Sequence, residues 1–309
     1  MSHIETVCGP IAPAALGATL IHEHILVDFG GASVTGPHRW DRQQVFDHML
    51  PYLSAIRHQG LTTLVDCTPM YLGRDAPLLR RLALQSGLQI ITNTGLYKEP
   101  YLPPWAFDLS AEELTAVWVS EARDGIGATG IRPGFIKIAV NPGPLVPIQR
   151  KIVAAAALTH LQTGLVVASH TGHAIAAHES LDIAAAAGMS LGRYIIVHAD
   201  AISDLDEHVR LAKRGAWLEY DALGTRPAEE HARLLLAMLE RGYGEQLLLS
   251  HDAGWYHVGE PNGGEVRPFT FLMDTFVPLL RQYGVDQSTI ERLIIINPAR
   301  ALAIGNDRG

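Results

Sequence analysis

The sequence predicts an α/β protein built as a (β/α)8 barrel of the TIM type, one domain over residues 1–309 with a short N-terminal hairpin cap. Three observations carry that expectation. Eight short runs rich in Val, Ile, Leu and Thr read as buried parallel strands, since a strand covered on both faces needs no polar alternation. Longer segments with apolar residues at helical spacing separate these runs, and no Pro/Ser-rich linker divides the chain. No GxGxxG or GxxxxGK[ST] follows the first run, which counts against a doubly wound open sheet, the other arrangement of alternating strands and helices.

Taken in order, the segment from Ile4 to Leu16 reads as a hairpin or cap ahead of the barrel. The strand candidates are ATLIHEH (18–24), LTTLVDC (61–67), LQIITNT (88–94), GFIKIAV (134–140), LVVASH (165–170), YIIVHAD (194–200), AWLEYD (216–221) and QLLLSHD (246–252). Helices are expected over 41–58, 76–86, 110–126, 148–163, 174–187, 203–214, 227–241, 268–283 and 286–304. Ser110 precedes Ala-Glu-Glu, so its hydroxyl can cap free N–H groups while the acids meet the positive end of the helix dipole. Gly60, Gly87, Gly164, Gly188 and Gly215 follow helical segments, where a left-handed closing residue fits.

Composition narrows the function. At 48% hydrophobic and 18% charged residues, the chain can bury a large core. A formal net charge of -8 disfavours nucleic acid, whose binders present a basic face to displace phosphate counterions. No uninterrupted apolar run reaches the roughly 18 residues a membrane span needs, and the N-terminus lacks a basic start with an apolar run. Cys8 and Cys67 are too few for a disulfide framework, so a reducing, cytoplasmic setting is expected, with a small-molecule substrate as partner.

Fifteen histidines against 24 Lys plus Arg is the unusual count, and several follow apolar runs directly. In a barrel of this type, side chains at the C-terminal strand ends converge on one mouth. His22 and His24 are two apart, which puts both imidazoles on one face and Glu23 on the other. Such a pair can grip a metal, although alone it reads equally well as two polar residues at a strand end. Lys137 lies inside FIKIAV, where an unpaired ammonium is costly, so it needs either a modification or a carboxylate such as Asp66. His170, His198 and Asp252 stand at or near the ends of strands five, six and eight. Packing does not account for the whole set.

These residues fall in an ordered series: HEH at 22–24, TGLY at 94–97, GFIK at 134–137, SHTG at 169–172, VHAD at 197–200, SHD at 250–252 and NPAR at 297–300. Through this series, which runs along essentially the whole chain, the sequence resembles the phosphotriesterase family of the amidohydrolase superfamily. That family includes phosphotriesterases, phosphotriesterase-like lactonases and homology proteins. The resemblance implies two divalent metals, the more buried held by His22, His24 and Asp252 and the more exposed by His170 and His198. Lys137 would bridge both as N6-carboxylysine, formed with carbon dioxide, which turns a costly cation into a two-oxygen anionic ligand. Zn2+ suits the N/O donors first, and Mn2+, Co2+ or Fe2+ accept the same set.

The implied reaction is attack of a metal-bridging hydroxide on a carboxylic ester or lactone, with promiscuous phosphotriesterase activity because both reactions build negative oxygen charge. Asp252 would take the proton and pass it to the leaving group. Hydrolysis of a small N-acyl amide, a primary phosphotriesterase and a non-catalytic metal-binding barrel are the other readings. A homodimer is the assembly the resemblance favours. For substrate contact, lactonase-like relatives place a Tyr where Tyr97 stands, although Lys98 and the Pro-rich stretch after it depart from the lactonase continuation. Tyr101 and Trp105 add aromatic character to that loop, and Trp255, Tyr256 and His257 to the Gly-rich loop after strand eight. Asp221 and Arg226 either line the pocket or pair with each other at its rim, and His58, His160, His208 and His231 are expected at helix surfaces.

Overall fold

In the computed structural model, which describes residues 2–305, the chain opens with two short antiparallel strands, β1 (Ile4–Thr6) and β2 (Gly9–Ile11). The Val7 N–H donates to the Ile90 carbonyl at 2.9 Å, and Ile4 and Leu16 pack with Ala301 and Leu302. The expected hairpin is therefore a plug over the N-terminal end of the barrel, opposite the mouth.

The barrel strands follow. β3 (Thr19–Val27) runs parallel to β4 (Thr63–Asp66), which pairs with β5 (Gln89–Ile91). After Thr92 the third strand continues as β6 (Asn93–Thr94), which pairs with β7 (Phe135–Ala139). Parallel pairing then proceeds through β8 (Val167–His170), β9 (Tyr194–Val197), β10 (Trp217–Tyr220) and β11 (Leu247–Leu249). The ring closes through isolated bonds rather than a regular ladder: Asp252 N–H to His22 O at 3.1 Å and His24 N–H to Ala253 O at 2.9 Å. Beyond them β12 (Gly254–His257) lies parallel to the end of β3, a continuation of the eighth strand that the sequence reading placed in a loop. All eight predicted strand positions are occupied.

Strand alternation sorts the core into two layers. Ile21, Val65, Ile91, Phe135, Val166 and Val197 fill the lumen, while Leu20, Leu64, Ile90, Ile136 and Ile138 face the helices. The outer ring contains α1 (Arg42–His58), α2 (Ala76–Ser86), the one-turn α3 (Trp105–Asp108), α4 (Ala111–Asp124), α5 (Pro147–Thr163), α6 (Ala174–Ala186), α7 (Leu205–Lys213) and α8 (Ala228–Glu240). Ser110 caps α4 as expected, its hydroxyl accepting the Glu113 N–H while the Glu113 carboxylate accepts the Ser110 N–H. Gly87 and Gly164 close α2 and α5 with φ of 73° and 76°.

Two local features depart from expectation. The last two predicted helices each contain a wide π turn: Leu272–Phe276 leads into α9 (Val277–Gln282), and Arg292–Ile296 joins α10 (Gln287–Glu291) to α11 (Asn297–Leu302). Each wide turn ends just before a proline, Pro278 or Pro298, whose ring and missing N–H interrupt the regular ladder. His208 and His231 are buried on the inner faces of α7 and α8, not at the surface. His208 joins the Tyr220 hydroxyl at 2.8 Å to the Ile202 carbonyl at 2.7 Å, and a fully bonded imidazole of that kind belongs in a core. No helix of the described residues is long and apolar enough to cross a membrane.

Candidate metal centre

A bulge between Leu20 and Glu23 breaks the alternation of β3, so His22 follows Ile21 into the lumen, and the period of two then sends Glu23 outward and His24 inward. Glu23 is far from idle. Its carboxylate accepts from Ser250 Oγ at 2.8 Å, His251 Nδ1 at 2.6 Å and Ala253 N–H at 2.7 Å, fastening the end of the eighth strand to the first. The Arg267 guanidinium donates to the carbonyls of both His251 and Asp252. Between these ties Asp252 adopts a left-handed φ of 52°, uncommon without glycine, and its Oδ1 comes to 3.1 Å from His24 Nε2 and 3.6 Å from His22 Nε2.

The rings are aimed by what holds their Nδ1 atoms. His22 Nδ1 lies 2.6 Å from Glu219 Oε1 and 3.0 Å from Asp221 Oδ2, and His198 Nδ1 lies 2.7 Å from Asp221 Oδ1. His24 Nδ1 meets the Thr68 hydroxyl at 2.7 Å, and that hydroxyl donates onward to the Leu26 carbonyl at 3.1 Å, so it must accept from the ring. A neutral imidazole whose Nδ1 carries the proton presents a lone pair at Nε2. These lone pairs face inward. Lys137 Nζ is 3.3 Å from His22 Nε2, and His198 Nε2 is 2.8 Å from Nδ1 of His170. His198 itself has φ of 58°, which turns its backbone N–H toward Asp221 Oδ2 at 3.1 Å. The site residues arrive from five strand ends, β3, β7, β8, β9 and the turn after β11, as the barrel topology requires.

Charge is arranged for cations. Burial, then the Lys137 charge, lowers His22 to about 4, keeping it a neutral donor. Burial works to lower His198, but the Asp221 charge and hydrogen bond outweigh it. Burial would raise Asp252, yet the neighbouring His22 and His24 hold it well below the carboxylate range. Burial and the Asp221 charge push Glu219 well up, whereas its bonds to His198 and His22 keep Asp221 ionised. Lys137 is 1% exposed, and among the described residues no carboxylate lies within 4.0 Å of its ammonium. Asp66 does not serve it: that carboxylate shares the outer face with Leu64 and accepts the Ile25 N–H at 2.9 Å.

His22, His24 and Asp252 fit a divalent cation. Oδ1 of Asp252 is buried without a hydrogen bond of proper geometry, beside two inward imidazole lone pairs, and ligand atoms of His22, His24 and Asp252 all lie within 4.8 Å of one another. His22, His198 and Asp221 form a second group that close. There, however, the Nδ1 protons are already spent, that of His22 on Glu219 and that of His198 on Asp221, so these carboxylates orient the rings from behind.

Around the mouth the structure separates the expected contacts. The Tyr97 hydroxyl reaches 3.0 Å from His170 Nδ1, and an aromatic wall runs from Tyr97 through Tyr101 and Phe29 to Trp255 and His257, with ring centroids 5.7 to 6.1 Å apart. Trp255 also meets the His24 ring edge-on at 5.0 Å. Tyr256, opposite in parity along β12, turns away to pack on His48 of α1, and Trp105 is occupied with the Tyr71 hydroxyl at 3.2 Å. Asp221 is completely buried under the histidines and does not pair with Arg226, which stands 3.8 Å from Asp200 Oδ2. Glu219, Thr68 and a contact of 2.9 Å between Lys98 Nζ and His170 Nε2 are features of the site not expected from the sequence. Glu219-x-Asp221 repeats the two-residue spacing of His22-x-His24, which was a signal available to find it.

The chain is 30% identical to a phosphotriesterase homology protein of Mycobacterium tuberculosis, over 97% of each chain. It is 27% identical to an N-acetyltaurine hydrolase of Danio rerio, again over 97% of each. A solved structure from work on engineering organophosphate hydrolysis activity from a weak promiscuous lactonase template superposes with a TM-score of 0.88 at 28% identity, covering 98% of this chain and 100% of the other. The model of the phosphotriesterase family matches residues 2–302, and the chain therefore belongs to that family of hydrolases.

Proposed function

We propose that the protein is a binuclear metal-dependent hydrolase that cleaves a small carboxylic ester or lactone, with phosphotriester turnover as a side activity. The observation carrying this reading is the inward convergence of His22, His24, His170, His198, Lys137 and Asp252 at one barrel mouth, the rings of His22, His24 and His198 each turned by a partner behind it. His22, His24 and Asp252 would hold one metal and His170 and His198 the other, with Lys137 carboxylated to bridge them. Among the described residues Lys137 has no carboxylate partner, so a carbamate would relieve its buried positive charge and supply two further oxygens. Zn2+ fits the donors first, with Mn2+, Co2+ or Fe2+ as alternatives. When bound, such ions make water acidic enough to ionise near neutral pH and polarise the oxygen under attack.

The chain's own residues would then divide the work. Asp252, held ionised between His22 and His24, is placed to accept a proton and deliver it to the leaving group. Glu219 and Asp221 fix the ring tautomers. Tyr97, whose hydroxyl points to the His170 nitrogen, is placed to contact the substrate, and burial keeps that phenol protonated as a donor. The aromatic wall, with Trp255 and His257, would receive the apolar part of the substrate and keep bulk water out. The N-acetyltaurine hydrolase among the relatives favours a second reading, amide cleavage at the same atoms. A homodimer acting on a small molecule completes the proposal.

The test is a panel of lactones, aryl esters, N-acyl amides and phosphotriesters on protein of measured metal content. Highest kcat/KM on esters or lactones, abolished by Asp252→Asn, supports the reading. Amides turned over faster by 100-fold or more would transfer it to the second.

A further inference from the structure

The loop after β6 carries a cation that the chemistry above does not use. Lys98 is half-buried beside Tyr97, with its ammonium 2.9 Å from His170 Nε2 and 3.4 Å from the Val140 carbonyl. It also lies 5.5 Å from the centre of the Tyr97 ring. Among the described residues no carboxylate lies within ion-pair distance of it. Arg39, Arg226 and Arg267 are engaged elsewhere: Arg39 with Asp28 at 2.7 Å, Arg226 with Asp200 at 3.8 Å, and Arg267 with backbone carbonyls.

Its contact with His170 conflicts with that ring's other role. His170 faces His198 through Nδ1, so a cation bound there takes the Nδ1 lone pair, and a neutral imidazole must then carry its proton on Nε2. An Nε2–H cannot accept from an ammonium. Lys98 would be left one imidazole's width from the reacting centre with a single carbonyl as acceptor.

We propose that Lys98 is an anion-binding residue of the substrate pocket, selecting small esters or lactones that carry a carboxylate, sulfonate or phosphate near the scissile acyl group. The proposal rests on the hydrolase reading above and names its substrate class. The negative group would take the ammonium away from His170, and the apolar remainder would lie along Tyr97, Tyr101 and Phe29, where the rings are already in contact.

The experiment uses metal-loaded protein and two esters sharing one leaving group, mono-4-nitrophenyl succinate (anionic) and 4-nitrophenyl butyrate (neutral). Lys98→Met is expected to lower the anionic-to-neutral ratio of kcat/KM by about 10- to 100-fold, the effect of removing a hydrogen bond to a charged group. Lys98→Arg, which keeps the charge, is expected to recover most of that ratio at equal metal content. A second readout needs no turnover: calorimetry should detect glutarate binding to the parent protein and a loss of 10-fold or more in affinity in Lys98→Met. Equal losses on both esters, or glutarate affinity unchanged in Lys98→Met, would overturn the proposal. If the parent hydrolyses neither ester, the ester reading fails, and the glutarate measurement still decides the role of Lys98.

Discussion

Replacing Asp221 by Asn tests how the site is aimed. The side chain is completely buried, and its carboxylate accepts from His198 Nδ1 at 2.7 Å and the His198 N–H at 3.1 Å, with His22 Nδ1, which Glu219 holds at 2.6 Å, also 3.0 Å away. Asn has almost the same volume but only one accepting oxygen, while its NH2 can only donate. At least one ring N–H would then face another donor. That ring must turn or shift its proton to Nε2, and in the second case it can no longer ligate. Removing such a supporting carboxylate typically weakens metal affinity about 10- to 100-fold, or roughly 1.4 to 2.7 kcal/mol at 1.36 kcal/mol per tenfold. Folding should change less, since losing charge-assisted bonds of about 1.5–3 kcal/mol each is offset by no longer burying a charge. Competition against a chromogenic zinc chelator reads the affinity directly, and a melting curve of metal-depleted protein reads the fold. Affinity within threefold of the parent would refute the claim that Asp221 orients the His198 ring.

Other outcomes follow from the same structure. Lys137→Ala should lose bound metal and activity while remaining folded, with partial recovery in added short carboxylates; metal analysis and circular dichroism check this, and full activity without rescue would remove the bridging role. Gly95, at φ of 116°, admits no Cβ because the atom would overlap the Lys137 backbone carbonyl, so Gly95→Ala should cost at least ~2 kcal/mol in urea unfolding. Burial, then the Arg226 charge, lowers His231 from 6.5 to about 4, so the unfolded chain takes that proton more readily. Its stabilising contribution is complete above pH 6.5 and is lost as pH falls toward 4. His231→Phe should therefore flatten the melting temperature against pH across that window, and an unaltered slope would contradict the assignment.

Much of this was legible in the sequence because the barrel imposes one simple rule. A buried parallel strand is a short apolar run, so the polar residues in or at the end of one, His22, His24, Lys137, His170, His198 and Asp252, stand out by position, and the resemblance to a known family joins them into one metal set. What lay beneath them was harder. Glu219 and Asp221 look like an ordinary acidic strand end, and only the packed lumen reveals that they stand behind His22 and His198. Arg226 was read as a possible partner of Asp221 because the two are close in sequence, but Asp221 points inward and Asp200 takes the arginine. His208 and His231 were read as surface residues because a helix with several polar positions does not announce which one turns to the core. Tyr256 shows the same limit in a loop: once 254–257 pairs with β3, alternation sends Trp255 and His257 one way and Tyr256 the other.

The central claim is that six side chains distant in sequence hold a pair of divalent cations at the barrel mouth. Titration of metal-depleted protein with Zn2+, followed by calorimetry and by return of ester hydrolysis, tests it most directly. The account predicts two equivalents bound per chain, with activity rising in step and both lost in His22→Ala and His170→Ala. Full activity in protein stripped below a tenth of an equivalent would contradict it.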